Sequence, residues 1–202
     1  RLKRVSDVIT SNSQKAYSKS KVIHEALLNI LQCIKKGKLE NKRLNVLSID
    51  FKKAFDSVSH EYIIEVLKFY NFSDYMIKIV RTSMNQKIAG IMAESGIISF
   101  FSILCGVAQG DAPSGLLFIL CLEPLLWKLS LEQGIRHPVF ENGGTIDDSS
   151  YADDVSILLE GDPEIIFRCK IILEDFGKLS GLKINSEKTQ ILSVNASPDF
   201  AE

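Results

Sequence analysis

The chain has 202 residues, 46% of them apolar, and a formal net charge of −1, which suits one substantial domain folded around a sizeable core. Its longest apolar run, residues 116–127, is broken by Glu123 and Pro124 and falls short of the roughly 20 residues that cross a bilayer, so no membrane partner is expected. The basic start (Arg1, Lys3, Arg4) leads into no apolar signal segment, and Cys33, Cys105, Cys121 and Cys169 lack the paired spacing of a zinc site or a disulfide framework, so a reduced, intracellular protein is expected.

The small net charge conceals a division. Residues 1–53 carry 13 Lys and Arg against 4 Asp and Glu, while the remainder carries 11 against 21. A basic first quarter suits phosphate backbones and an acidic remainder suits bound cations; the plainer alternative is a set of solvated lysines on helix faces.

In chain order, Val22, Ile23, Ala26, Leu27, Ile30, Leu31 and Ile34 recur at helical spacing, with Gly37 as a stop. Residues 44–49 read as a short buried strand that delivers Asp50 at its end. Ser59 then caps a helix running to about Tyr70, and a second helix follows Ser73. Residues 87–93 and 97–104 form strand-like runs around Glu94, Ser95 and Gly96, a hairpin pattern. A Gly-rich loop over 106–115 opens a long apolar helix. Residues 145–159 form the next expected hairpin, with Tyr151, Ala152, Asp153 and Asp154 at or beside its turn. Pro163 starts a helix ending near Gly181, and residues 190–194 form a last strand. The alternation is that of an α+β fold, with helices packed on one face of a mainly antiparallel sheet.

The chemistry lies in the carboxylates. Nucleotidyl transfer uses two divalent cations about 4 Å apart, one activating a 3′-hydroxyl and one stabilising the leaving pyrophosphate, and hard cations take carboxylate oxygens. One Asp at a strand end and a second at the turn of a neighbouring hairpin supply them rigidly. Asp50 and Asp153 fit that arrangement, provided the fold brings together positions 103 residues apart. Asp154 would face the other side of a regular strand and serve as a secondary ligand or an electrostatic support.

Four strings carry a resemblance: LSIDFKKAFDSVSHE (47–61), GVAQGDAPSGLLF (106–118), YADD (151–154) and GLKINSEKT (181–189). In this order they resemble the motifs of reverse transcriptases, most closely those of non-LTR, LINE-type retrotransposons, and QKAYSKSKVI (14–23) is similar to that family's fingers segment. The resemblance implies a right-hand polymerase palm with an antiparallel sheet and packed helices, plus partial fingers: residues 1–43 in the fingers, 44–202 in the palm, and no thumb. It also implies RNA-directed DNA polymerase activity with an RNA template, a DNA primer, dNTPs and two Mg²⁺ ions, or Mn²⁺ in their place. Nuclear access is implied too, and the oligomeric state is left open.

Position by position, the resemblance puts metal on Asp50, Asp153 and, in support, Asp154, with the carbonyl of Phe51 as a further ligand. Phe55 matches an aromatic gate against the 2′-hydroxyl of ribonucleotides; simple core packing is its alternative. Gln109 and Gly110 match the loop that meets the incoming nucleotide. Lys21 stands where the family has an Arg facing the triphosphate, a point charge in place of a bidentate fork. Lys188 matches the general acid for pyrophosphate, with a solvated lysine as its alternative. The loop departs from the family pattern in placing Pro113 before Ser114 and Gly115 after it.

The chain is expected to begin after the family's Arg-Pro-Ile-like motif and to end before the primer grip, and therefore to extend primers poorly by itself. Two competing readings are a catalytically silent nucleic-acid-binding remnant and an RNA-templated RNA polymerase; Phe55 argues against the latter.

Overall fold

The computed structural model describes residues 9–11, 14, 16, 23–85, 87–94, 96–111, 113–139, 148–161 and 164–195. In chain order the elements are α1 (Ile23–Leu39), β1 (Leu44–Ile49), α2 (Ala54–Ser57), α3 (His60–Phe69), α4 (Asp74–Met84), β2 (Ile88–Ala93), β3 (Gly96–Ser102), α5 (Ser114–Leu131), β4 (Asp148–Tyr151), β5 (Asp154–Glu160), α6 (Glu164–Ser180) and β6 (Gln190–Val194).

Four strands form one antiparallel sheet in the order β4-β5-β1-β6, while β2 and β3 pair with each other in a separate hairpin. β1 is an inner strand, and its sequence, Leu-Asn-Val-Leu-Ser-Ile, is buried at every position but Ser48. The register from Leu44↔Glu160 to Ile49↔Val155 puts Leu47, Ile49, Val155, Ile157 and Leu159 on one face, in a single core with α3, α4, α5 and α6. Val46 and Leu158 point the other way, onto Cys33, Ile30 and Ile34 of α1. The expected helices on one face are thus helices on both faces. Two-sided burial follows from the near-continuous apolar character of β1 and β5, which leaves neither face suited to water.

The helices carry the faces that their spacing dictates. Ile63, Ile64, Val66 and Leu67 are the buried residues of α3; Ile77, Val80 and Met84 those of α4; and Ile165, Cys169, Leu173, Phe176 and Ser180 those of α6. Ser59 and Ser73 cap α3 and α4, their side chains accepting from the N–H groups of Tyr62 and Met76. α5 differs: Leu117, Phe118, Ile119, Leu120, Cys121, Leu122, Leu125, Leu126 and Leu129 are buried around most of its circumference. By length and composition alone α5 could cross a membrane, but most of it is buried inside the protein, and it serves as the central core helix.

Gly37 does not end α1, which runs on to Leu39. A Cβ at Gly37 would lie 2.4 Å from Cδ1 of Leu44, so the glycine lets the helix approach the start of β1 closely without moving that side chain.

Candidate active site

β1 and β5 run antiparallel, so the C-terminal end of one and the N-terminal end of the other lie at the same end of the sheet. Asp50 follows the last residue of β1, and Asp154 opens β5. The paired register stops at Ile49↔Val155; one further step would set Asp50 opposite Asp154, with Asp153 in the turn just beyond. The structure therefore supplies the adjacency that the sequence left open.

The hairpin closes on Tyr151↔Asp154, leaving Ala152 and Asp153 as a two-residue turn. Ala152 has φ +55°, at the first turn position, where glycine is usual. For an L-residue this costs on the order of 1 kcal/mol, so the surroundings must hold it. The side chain of Gln14, fully buried, does so: its Oε1 accepts from the Ala152 N–H at 3.1 Å, and its Nε2 donates to the Ala152 carbonyl at 3.5 Å.

Asp50 is held from the opposite side by residues 181–189. Asn185 donates its side-chain amide to Oδ2 of Asp50 at 2.9 Å and its backbone N–H to the Asp50 carbonyl at 2.8 Å. The Asp50 N–H donates to Oγ1 of Thr189 at 3.3 Å. Phe51, buried, forms a β-bridge with Ile184, and the Lys52 N–H donates to the Lys183 carbonyl. Gly181 has φ +83°, and a Cβ there would lie 2.5 Å from the carbonyl oxygen of Ser57. Lys188 sits exposed on the turn that this packing creates, next to Thr189.

The Asp154 carboxyl is held above the ordinary carboxylate range, first by burial, then by the charge of Asp153, then by that of Asp50. Three carboxylates thus share one field. Among the described residues no group of three or more Asp, Glu, His or Cys side chains is placed to hold a metal ion. The arrangement is an open acidic face of oxygen donors, and such a face fits cations that complete their coordination on phosphate oxygens and water.

Phe55 lies in α2, five residues after Asp50. Its half-buried ring stacks on that of Phe118, with centroids 4.5 Å apart and planes at 19°. Its carbonyl accepts from the Val107 N–H at 2.7 Å, which pins the start of the Gly-rich loop to α2. The Gly106 N–H donates to the Val58 carbonyl at 2.7 Å, and Nε2 of His60 bonds the Gly106 carbonyl at 2.9 Å. Gln109 and Gly110 project beyond this anchor as an exposed turn, Gly110 with φ +93°. Lys87, at the base of the β2–β3 hairpin, pairs with Asp111 at 3.3 Å and steadies the far side of the loop. Asp50, Asp153 and Asp154 lie at one end of the sheet, Phe51 and Lys188 lie on the segments joined there, and Gln109 and Gly110 lie on the loop tied to Phe55 through Val107; Lys21 lies outside the described residues.

Sequence reasoning assigned no role to Gln14, Asn185 or His60. Gln14 and Asn185 stand inside strings that were singled out, which was the available signal. Their roles depend on contacts across 138 and 135 residues, which no local pattern encodes.

A family model described as reverse transcriptase (RNA-dependent DNA polymerase) matches residues 1–200. The chain is 30% identical over 195 residues to a retrovirus-related Pol polyprotein from a type-1 retrotransposable element R2 of Popillia japonica, covering 92% of this chain and 26% of that protein. It is 30% identical over 161 residues to an uncharacterized 149 kDa protein of transposon TX1 from Xenopus laevis, covering 78% of this chain and 12% of that protein. The chain therefore spans about a quarter or less of the length of these relatives. Among solved structures, the apo telomerase of Candida tropicalis truncated from its C-terminal domain superposes with a TM-score of 0.70 at 15% identity, covering 98% of this chain and 40% of that one. That likeness concerns the fold. With the motifs in order and the acidic residues brought to one end of the sheet, the chain belongs to the reverse transcriptase (RNA-dependent DNA polymerase) family, on the side of the non-LTR retrotransposon proteins.

Proposed function

We propose that this chain carries the polymerising centre of an RNA-directed DNA polymerase, which extends a DNA primer along an RNA template from dNTPs. The observation that supports it most is the meeting of Asp50, at the end of β1, with the Asp153 and Asp154 turn at the start of β5. In this reading the four-stranded sheet and its helices, within 44–202, form the palm, and residues 1–43 belong to the fingers. The partner is an A-form-like hybrid duplex gripped mainly through its backbone.

In the reaction the primer 3′-oxygen bonds to the α-phosphorus of a dNTP, the bond from that phosphorus to the bridging oxygen breaks, and pyrophosphate leaves. Two Mg²⁺ ions, or Mn²⁺, at Asp50, Asp153 and Asp154 would lower the pKa of the 3′-hydroxyl and neutralise the leaving charge. Asn185 keeps one oxygen of Asp50 turned inward and so fixes the direction of the other. The Phe55 ring, braced by Phe118, would exclude a 2′-hydroxyl. Gln109 and Gly110 present amide and bare backbone to the incoming nucleotide. Lys188 would protonate the departing pyrophosphate, and Lys21 would meet the triphosphate as a point charge.

The test is primer extension on an RNA template with the open reading frame that encodes this chain, comparing wild type with Asp50→Asn and Asp153→Asn. Each variant should lose at least about a thousandfold in rate, as expected when charge stabilisation in the transition state is removed. Unchanged incorporation by both would exclude the assignment.

A further inference from the structure

The sheet edge that carries the acidic turn is completed by a segment from the far N-terminal side of the chain. Gln14 forms an isolated parallel bridge with Ser150, the residue that precedes Tyr151 in β4. Its side chain is fully buried, and Oε1 accepts two backbone N–H groups, from Ala152 at 3.1 Å and from Ala16 at 2.9 Å. Nε2 reaches the Ala152 carbonyl at 3.5 Å, the longer arm of the pair. Ala16 packs with Ala152 and Ile119 of α5 in a small apolar cluster, which seats the segment between the central helix and the turn. Three residues earlier, the Ser11 N–H and hydroxyl both donate to the buried carboxylate of Glu123, at 3.0 and 3.2 Å. The segment is therefore anchored twice, once on α5 and once on the turn.

Only the second anchor touches the strained residue. Ala152 is left-handed, and with both its N–H and its carbonyl facing one side-chain amide its backbone has little freedom to relax. Rotation of that residue would swing Asp153, its neighbour, away from Asp50. We infer that Gln14 is a positioning residue: its amide clamps the Ala152 backbone in the left-handed form and thereby sets the direction of the Asp153 and Asp154 carboxylates. Part of the geometry of the acidic face thus comes from the basic N-terminal segment. The inference rests on the two-metal reading given above.

Gln14→Met keeps the length of the side chain and removes both amide groups. Deuterium exchange on the metal-free protein should show residues 150–153 exchanging at least about tenfold faster in this variant, with α3 and α6 unaffected. In primer extension the Mg²⁺ concentration for half-maximal rate should rise about tenfold, with KM for dNTP at saturating Mg²⁺ unchanged. Ser11→Ala loosens the same segment at its other anchor and should leave the Mg²⁺ requirement at the wild-type value. Wild-type protection of residues 150–153 in Gln14→Met overturns the inference. So does lost protection with an unchanged Mg²⁺ requirement, which reduces Gln14 to a structural part, and so does an equal rise in Ser11→Ala. If Gln14→Met does not fold, Gln14→Asn, which withdraws the amide by one methylene, is read by the same criteria. Asp153→Asn, run alongside, separates the two ideas: if it is active, the polymerase reading fails whatever the exchange data show.

Discussion

Asn185 and Asp50 are joined by a side-chain hydrogen bond of 2.9 Å that spans 135 residues of sequence. The amide satisfies one carboxylate oxygen without adding charge. A hydrogen bond to a charged group contributes about 1.5–3 kcal/mol, and this one is partly buried, so the lower end applies. Asn185→Ala should slow primer extension about tenfold. Asn185→Asp should slow it further and lower Tm, since a second carboxylate would face Asp50 at hydrogen-bond distance. Steady-state extension and thermal melts check both; an Asn185→Asp protein as active as wild type would dismiss the positioning role.

The packing contact of Phe55 and its proposed gate role separate by substitution. Its ring stacks on the fully buried Phe118, so Phe55→Ala should cost about 2 kcal/mol of stability, below the full cost for a core Phe because the ring is half-buried. Phe55→Val keeps more of that packing and should melt closer to wild type. Both should raise ribonucleotide incorporation relative to dNTPs, Ala more than Val. Unaltered sugar discrimination in both would leave only the packing role.

Asp154 offers a test by pH. Its folded-state pKa is raised, so its neutral form is favoured by folding, and its stabilising contribution is present below the unfolded pKa and lost as pH rises through the folded value. In metal-free protein at pH 7 the charged carboxylate therefore opposes folding. Asp154→Asn should raise Tm at neutral pH, and the gain should vanish as pH falls to about 4, the ordinary carboxylate range. Saturating Mg²⁺ should narrow the gap at neutral pH by stabilising the wild type more. Melting curves over pH, with and without Mg²⁺, decide it; a variant less stable at neutral pH without metal contradicts the account.

Gly181 is the joint between α6 and the segment that holds Asp50. A Cβ at φ +83° and 2.5 Å from the Ser57 carbonyl oxygen cannot be accommodated without a backbone shift. Gly181→Ala should cost on the order of 2–3 kcal/mol, from left-handed strain and the clash together. The shift should also draw Asn185 from Asp50, so extension should fall further than Asn185→Ala alone produces. Activity equal to that of Asn185→Ala would confine the effect to stability.

Local chemistry made much of this legible from the residues. Leu44–Ile49 and Gln190–Val194 were readable as strands because each is short and bounded by turn residues, and α3 and α4 because Ser59 and Ser73 announce their starts. Gly37 misled for a physical reason: glycine both ends helices and permits close approach, and only the position of Leu44 shows which applies here. Helices on both faces of the sheet were not readable either, since the face on which α1 docks depends on the pairing of Val46 with Leu158.

By itself, the sequence singled out the residues proposed to carry the chemistry. Asp50, Phe55, Asp153, Asp154 and Lys188 belong to ordered strings of recognisable composition, and composition is a local property. The tertiary structure alone decided how they meet. It set β1 between β5 and β6, turned Ala152 left-handed under the amide of Gln14, and folded Asn185 onto Asp50. Those contacts arise from strand pairing and burial between segments more than a hundred residues apart, and no pattern confined to a single segment can specify them.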